Sequence, residues 1–168
     1  MIKNINKKGV SAIVATVLII LITVAAVTII WAAIIPLVSN QLDESEACLA
    51  AVQGLSIGTQ GYTCYHQGTA ANDPTVLKVQ VRRGANDAGL SNVQFSLDFS
   101  GNSESYTPTT GSDLPELNGA LVYSISSTDV QGLTTKPSAV SIAPVIQLGN
   151  SEKTCEVAAT LSEIPDCI

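Results

Sequence analysis

The residues best able to carry chemistry are four cysteines, Cys48, Cys64, Cys155 and Cys167. No two of them have the C-x-x-C spacing that is typical of zinc sites and redox motifs. An even number of cysteines downstream of a long apolar segment is typical of disulfides in an oxidising compartment; reduced core cysteines in a cytosolic protein are the alternative. Four cysteines can pair in three ways. We expect Cys48–Cys64 and Cys155–Cys167, because each of these pairs closes a short loop.

The remaining reactive side chains form no recognisable catalytic or metal site. His66 is the single histidine, which excludes a metal site built from several histidines. A lone histidine beside Tyr65 on a predicted strand is more often a surface or packing residue than a base. The closest acidic grouping, Asp43, Glu44 and Glu46, could bind calcium weakly but is more typical of a solvated helix end. Phosphate-loop, dinucleotide-binding, nucleophile-elbow and zinc-protease motifs do not occur. We therefore expect neither an enzyme nor a bound cofactor or metal.

Charge is distributed very unevenly along the chain. Every acidic residue lies at Asp43 or later, and from there onward 14 acidic residues face five basic ones, a net charge of −9. Phosphate binding needs clustered lysine and arginine. The one basic grouping in this part, Lys78, Arg82 and Arg83, belongs to a predicted strand. Nucleic acid is therefore excluded as a partner.

The N-terminal part is dominated by an apolar run. No charged residue occurs between Gly9 and Leu42, and residues 10–38 are almost entirely apolar. The run exceeds the 18 or so residues that indicate a membrane helix and the roughly 7–15 of a secretory signal peptide. A helix that is apolar all round must be enclosed by lipid or protein. We expect Pro36 to kink or end it. Three preceding lysines predict a cytoplasmic N-terminus and an external acidic part.

The start of this run resembles the class III signal sequence of archaeal pilins and archaellins. The resemblance lies in residues 7–18, where Lys7, Lys8 and Gly9 stand directly before the uncharged helix. In that family a membrane-embedded prepilin peptidase recognises the short basic leader and cuts after its glycine. The resemblance implies that residues 1–9 are a leader, that Val10 becomes the mature N-terminus, and that residues 10–42 form the helix through which subunits assemble into a filament.

One position departs from the bacterial members of this wider family. Bacterial type IV pilins generally carry glutamate at the fifth mature position, where this chain has Val14. Archaeal members often lack that glutamate, so the departure favours the archaeal branch and argues against registration of subunits by charge pairing. The alternative interpretation is an unprocessed single-pass membrane anchor whose Lys-Lys-Gly flank arises by chance.

Downstream of the apolar run the pattern changes to short alternating segments. Residues 39–47 have the composition of a helix end or a solvated stalk, and the loop Ser103–Asp113 is rich in serine, threonine and proline. Apolar and polar residues alternate over short stretches that predict strands, separated by turn-rich sequence. Pro144 predicts an edge strand or a bulge. The predicted strands are 51–57, 61–66, 77–82, 93–99, 120–126, 138–148 and 155–161.

These observations predict an α+β fold, in which a long apolar N-terminal helix precedes an antiparallel, immunoglobulin-like β-sandwich over residues 43–168 with two disulfides. The expected function is that of a pilin, a structural subunit of an archaeal type IV pilus-like surface filament. The alternative is a membrane-anchored extracellular β-sandwich that binds a surface ligand. The expected partners are further copies of the chain, the prepilin peptidase during maturation, and the membrane before assembly. The expected location is first the membrane and then the cell surface.

Overall fold

The structure, a computed structural model, describes residues 12–59, 61–69, 73–86, 89–109 and 114–168. The chain divides between Asp43 and Glu44 into two compact units. The described residues form a helix, α1, followed by nine strands. The bounds are α1 Ala12–Gly54, β1 Leu55–Gly58, β2 Cys64–His66, β3 Val76–Arg83, β4 Leu90–Phe99, β5 Asn102–Tyr106, β6 Ala120–Ser126, β7 Ala139–Leu148, β8 Ser151–Thr154 and β9 Ala159–Leu161.

Helix α1 is longer than its apolar part. It continues past Pro36 to Gly54, so, contrary to the expectation from the sequence, the helix ends neither at Pro36 nor within residues 39–47; a kink at Pro36, the other expectation, stays a prediction. Proline removes one backbone donor, but the following leucine, glutamate and alanine residues are good helix formers, and no second breaker occurs before Gly54. Beyond Asp43 the helix buries Ala51 and half-buries Ala47 and Cys48. This spacing of three to four residues places them on one face of the helix.

The strands form two antiparallel sheets. In the first sheet, β1 and β2 pair one after the other with the same edge of β3, and β6 pairs with the opposite edge. In the second sheet the order is β5, β4, β7, and both β8 and β9 pair with the far edge of β7. Each sheet thus has one interrupted strand, β1–β2 in the first and β8–β9 in the second.

One hydrophobic core lies between the two sheets. Leu77, Val79 and Val81 of β3 are fully buried, as are Phe95 of β4 and Ile142 of β7, and all belong to the same cluster. Alternation along each strand requires this, because side chains two residues apart point to the same face of a sheet. The predicted strands 77–82 and 93–99 are therefore confirmed, together with the inward direction of their apolar residues.

The connectivity is that of an immunoglobulin-like sandwich. If β1–β2 and β8–β9 each count as one interrupted strand, the sandwich has seven strands in chain order. The first sheet then contains the first, second and fifth of these strands, side by side in that order. The second sheet contains the fourth, third, sixth and seventh, also in that order. The connections from second to third, fourth to fifth and fifth to sixth strand therefore cross between the sheets, as in the Greek-key arrangement of this fold. The predicted α+β class with an antiparallel sandwich is confirmed.

Pro144 lies in a central strand, so the expectation of an edge strand is wrong. The alternative, a bulge, has a counterpart nearby, because the register of β4 against β7 shifts between Leu90 and Asn92, opposite Ile146 and Val145. In antiparallel strands the N–H and C=O of one residue point to the same side. The Pro144 carbonyl accepts from Cys155 N at 2.9 Å, on the side of β8 and β9. Pro144 has no N–H, and the position that an N–H would occupy faces the gap between β8 and β9, where no ladder partner is required. The interruption lies in the neighbouring strand rather than in β7.

Three other strand predictions and one loop prediction need correction. The predicted strand 61–66 is shortened to β2. Residues 51–54 are helical, and only β1 of the predicted 51–57 is a strand. The predicted strand 155–161 is reduced to β9, because residues 155–158 leave the sheet opposite Pro144. Part of the Ser103–Asp113 stretch is not a loop but edge strand β5, whose Tyr106 ring packs towards Phe95 with ring centroids 6.4 Å apart. Core packing there overrides a polar composition.

Candidate functional site

The apolar part of α1 presents side chains that nothing in the described structure covers. From Ile13 to Val38 every side chain is exposed. This is the one helix of the described residues that is long and apolar enough to cross a membrane. At 1.5 Å per residue this stretch is about 40 Å long, and the whole helix about 65 Å, against roughly 30 Å for a bilayer core.

The threonines in this stretch do not make its surface polar. The hydroxyls of Thr16, Thr23 and Thr28 each donate to the backbone carbonyl three residues earlier, at 2.9 Å. Their hydrogen-bond donors are satisfied within the helix, so burial in lipid or among other helices leaves none of them unpaired. The surface therefore behaves as apolar on every side.

Near the end of this stretch the helix has one weak point. Pro36 lacks the N–H that would bond the carbonyl of Ala32, and Trp31, five residues before it, is 67% exposed. A free carbonyl and an indole N–H suit the boundary between an apolar and an aqueous environment.

The predicted cleavage residues Lys7, Lys8, Gly9 and Val10 lie outside the described residues, and their role stays a prediction. Two residues after Val10, at Ala12, the described part of the chain begins as an uninterrupted helix.

The disulfide pairing expected from the sequence is wrong. The bonds are Cys48–Cys155 and Cys64–Cys167, with sequence separations of 107 and 103 residues. Cys48 lies in α1 and Cys64 in β2, with β1 between them, so their closeness in sequence does not bring them together. Alignment of distant segments decides the pairing instead.

The second disulfide shows how this alignment works. Residues 165–167 run beside β2: Tyr65 N donates to the Pro165 carbonyl at 2.8 Å and Cys167 N donates to the Tyr65 carbonyl at 2.9 Å. This parallel bridge brings Cys64 next to Cys167. The Tyr65 side chain is buried, and burial raises the pKa of its phenol.

The first disulfide joins the end of α1 to the interruption between β8 and β9. Beside Cys48–Cys155, Lys153 of β8 forms an ion pair with Glu44 of the helix. The helix end is thus held to the sandwich by a covalent bond and by charge. No local signal in the sequence predicts this contact, because its two halves lie more than a hundred residues apart.

A further pair of polar contacts maintains the interrupted strand of the first sheet. The Thr63 side chain is fully buried; its hydroxyl accepts from Gln80 N at 3.0 Å and donates to the Gly58 carbonyl. It replaces ladder hydrogen bonds at the point where β1 gives way to β2. No sequence signal singles out Thr63, because the predicted strand 61–66 treats it as an ordinary strand residue and its burial depends on the tertiary structure.

His66 pairs with Asp73, a residue in the loop that follows β2. Its Nε2 lies 2.8 Å from Asp73 Oδ1, and Thr69 N donates to the other oxygen at 3.2 Å. The pair is exposed. In the described part of the chain, no group of three or more histidine, cysteine or acidic side chains could hold a metal ion.

The hydrogen bond from His66, followed by the one from Thr69 N, holds the pKa of Asp73 below its ordinary value. Any stabilisation from this carboxylate is present above the ordinary aspartate pKa of about 3.9 and is lost as the pH falls through the lower folded value. We expect His66→Ala to raise the pKa of Asp73 towards the ordinary value, as measured by NMR titration of its carboxyl carbon. His66→Gln, which keeps a side-chain N–H donor, should retain part of the shift. Unchanged titration in His66→Ala would contradict the assignment.

Comparison with protein-family models, curated proteins and solved structures gives no significant match. The fold and the site themselves define the class: an α+β protein with one uncovered apolar N-terminal helix and a disulfide-bonded, immunoglobulin-like sandwich. The apolar helix has the length and composition of a membrane anchor, and the disulfides indicate an oxidising environment outside the cytoplasm.

Proposed function

We propose that this chain is a pilin, a structural subunit of an archaeal type IV pilus-like surface filament that polymerises through its N-terminal helix. The observation that carries the proposal is the exposed apolar surface from Ile13 to Val38, with its threonine hydroxyls satisfied internally. Such a surface requires lipid before assembly and is suited to equivalent helices afterwards.

The length of the helix favours a filament over a simple anchor. A single bilayer crossing needs about 20 residues, because the bilayer core is roughly 30 Å thick. The exposed apolar stretch is about 40 Å long, and the helix continues without a break to Gly54. Tilt in the membrane absorbs some excess length. Lateral packing of many copies would cover the whole length of the exposed apolar stretch. The continuous helix connects this stretch covalently to the sandwich.

The disulfides support placement of the sandwich outside the cell. Cys48–Cys155 and Cys64–Cys167 account for all four cysteines, and such bonds persist in oxidising surroundings. We propose that the precursor is inserted in the membrane with its sandwich outside, is cut by a prepilin peptidase between Gly9 and Val10, and then enters a filament.

The mature N-terminus tests the processing step. We expect mass spectrometry of protein from native membranes or filaments to show a chain that starts at Val10, because the resemblance places the cut after Gly9. Gly9→Leu should leave the leader attached and abolish filaments seen by electron microscopy, whereas Asn6→Ala, outside the recognised residues, should be processed normally. Filaments of normal yield from uncut Gly9→Leu protein would refute the processing step.

A second candidate function is an anchored surface-binding protein. The observation in its favour is that a single helix with the composition of a membrane span precedes a disulfide-bonded domain in the described part of the chain. A native chain that retains its leader, resides in the membrane as single subunits and yields no filaments would favour this candidate.

A further inference from the structure

Two apolar side chains on the sandwich are exposed next to positive charge. On the outer face of the first sheet, Tyr62 is 61% exposed and lines an open cleft together with Lys78 and Val122. Arg82 lies on the same face, four residues along β3 from Lys78 and therefore about 13 Å away. Asp166 lines the same cleft, but its carboxylate is already paired with Lys136 at 2.7 Å. Neither Lys78 nor Arg82 has a carboxylate within ion-pair distance among the described residues. We call Tyr62, Lys78, Arg82 and Val122 the basic surface.

The local structure orients the basic surface outward. A side chain at Gly58 would clash with Gln80 Oε1, so Gln80 lies across the space that this glycine leaves free and is almost fully buried. In that position Oε1 accepts from Arg82 Nε at 3.4 Å. Val122 is the register partner of Gln80 on β6. An apolar side chain thus lies between the two cations.

A surface of opposite charge lies at the end of α1. Glu46 and Leu49 are both exposed, and Leu49 is 58% exposed. Since they are three residues apart in a helix, they are neighbours on its surface. Leu49 lines a cleft with Glu156, which is followed by Val157, 54% exposed. Lys153, the cation nearest to this cleft, is already paired with Glu44. We call Glu46, Leu49, Glu156 and Val157 the acidic surface.

These two surfaces are complementary, yet they belong to different sides of the same sandwich. The outer face of the first sheet points away from the second sheet, whereas Glu156 follows β8 at the edge of the second. They share no lining residue. The two surfaces therefore belong to separate clefts of one chain, and a second copy can present its acidic surface to the basic one. Each surface combines two like charges with two exposed apolar side chains, so opposite charge selects the partner surface and the apolar side chains lose contact with water on docking.

We propose that the basic surface docks onto the acidic surface of a second copy of this chain. The contact is heterologous, with different patches on the two partners, so it leaves a free surface at each end and propagates. The proposal rests on the proposed function, which it deepens by naming a contact between the sandwiches of neighbouring subunits. Exposed ion pairs are individually weak. Packing of the helices would raise the effective concentration of the sandwiches, so that a weak contact suffices.

A zero-length carbodiimide crosslinker, which joins a lysine amine to a nearby carboxylate as an amide with loss of water, tests the contact. The sample is the full chain, in filaments or detergent micelles, as an equal mixture of ¹⁴N- and ¹⁵N-labelled protein. We expect mixed-isotope peptides in which Lys78 is joined to Glu46 or Glu156. The pair Lys136–Asp166, whose Nζ and Oδ1 lie 2.7 Å apart within one chain, is the internal positive control. Efficient Lys136–Asp166 crosslinking without mixed-isotope Lys78 products would overturn the proposal.

Charge exchange provides the second test. Lys78→Glu with Arg82→Glu should reduce the association of the sandwiches roughly tenfold, because like charges then face each other. Association is measured as the total yield of mixed-isotope crosslinks between sandwiches. Adding Glu46→Lys and Glu156→Lys should restore the association. The restored crosslinks should join a peptide that carries a new carboxylate of β3 to a peptide that carries one of the new lysines.

A matched variant controls for the added negative charge. Ser103→Glu with Ser105→Glu places two carboxylates on exposed positions of β5, away from both surfaces, and should leave the crosslinks of Lys78 unchanged. Failure of the fourfold charge exchange to restore crosslinking would count against the pairing.

The outcomes separate this proposal from the proposed function. Filaments that assemble from processed chains but give no Lys78 crosslinks to the acidic surface would leave the pilin function standing and overturn the docking contact. Mixed-isotope crosslinks in micelles from chains that are never processed and form no filaments would support the contact and remove the pilin function.

Discussion

Replacement of Cys64 and Cys167 by alanine is expected to lower the free energy of unfolding of the sandwich by about 3.5 kcal/mol. In the open chain either disulfide closes a loop of more than 100 residues, worth about 4.7 kcal/mol by the loop-entropy relation. While Cys48–Cys155 is intact, however, the shortest path from Cys64 to Cys167 passes through it and spans only about 28 residues, which lowers the entropic gain. Loss of both bonds should cost about 8 kcal/mol, enough to unfold a typical domain.

The measurement is denaturant unfolding of the full chain in detergent, followed by near-ultraviolet circular dichroism of tyrosine. All four tyrosines lie in the sandwich, and the single tryptophan lies in the apolar part of α1, so the tyrosine signal reports on the sandwich alone. Alanine is preferred to serine because Cys64 is buried. Val122→Ala, at an exposed position, is the matched control and should change stability by no more than about 0.5 kcal/mol.

A mispaired double variant tests the connectivity itself. Cys48→Ala with Cys64→Ala removes one partner from each bond and should leave Cys155 and Cys167 as free thiols, with the stability loss of both disulfides. Cys48→Ala with Cys155→Ala should show no free thiol. The opposite pattern of thiols would return the pairing to Cys48–Cys64 and Cys155–Cys167.

Substitution of Ala26 by aspartate in the middle of the apolar stretch should reduce membrane-inserted and assembled protein about a hundredfold. A carboxylate at the centre of a membrane helix costs about 3 kcal/mol on insertion scales, and each 1.36 kcal/mol corresponds to a tenfold change in an equilibrium constant. In a filament the same charge would face equivalent apolar helices without a partner. Membrane fractionation measures insertion, and electron microscopy of the cell surface measures assembly.

Ser39→Asp is the matched control for Ala26→Asp. It adds the same charge to the same helix, at an exposed position beyond the apolar stretch, and should leave insertion unchanged. Insertion and filament yield at wild-type levels in Ala26→Asp would refute an apolar role for this surface.

Together these predictions assign separate tasks to the two units. The apolar stretch of α1 acts through the medium or the copies that enclose it, whereas the sandwich depends on its own core and on two bonds that join distant segments. Helix variants should therefore alter location and assembly while the tyrosine signal of the sandwich persists. Disulfide variants should alter that signal first.

Much of the fold could be predicted because its signals are local. The apolar run before Leu42 predicts a helix that needs an enclosing medium, and strict alternation predicts β3, β4 and their inward side chains. Both patterns arise from the periods of the helix and the strand, which depend only on backbone geometry. The Lys-Lys-Gly motif is equally local, and its interpretation as a prepilin leader stays a prediction.

Tertiary structure decided the features that depend on which segments become neighbours. Strand β5 is a strand because Tyr106 packs towards Phe95, although its own composition is that of a loop. Pro144 is tolerated in a central strand because β8 and β9 part beside it. Cys48 bonds Cys155, rather than its neighbour in sequence, because α1 ends beside that same interruption. In each case the deciding contact joins residues from different segments, and the pattern within one segment does not predict which segments become neighbours. Side-chain periodicity is set by the backbone of one segment, whereas the pairing of segments is set by the packing of the whole sandwich.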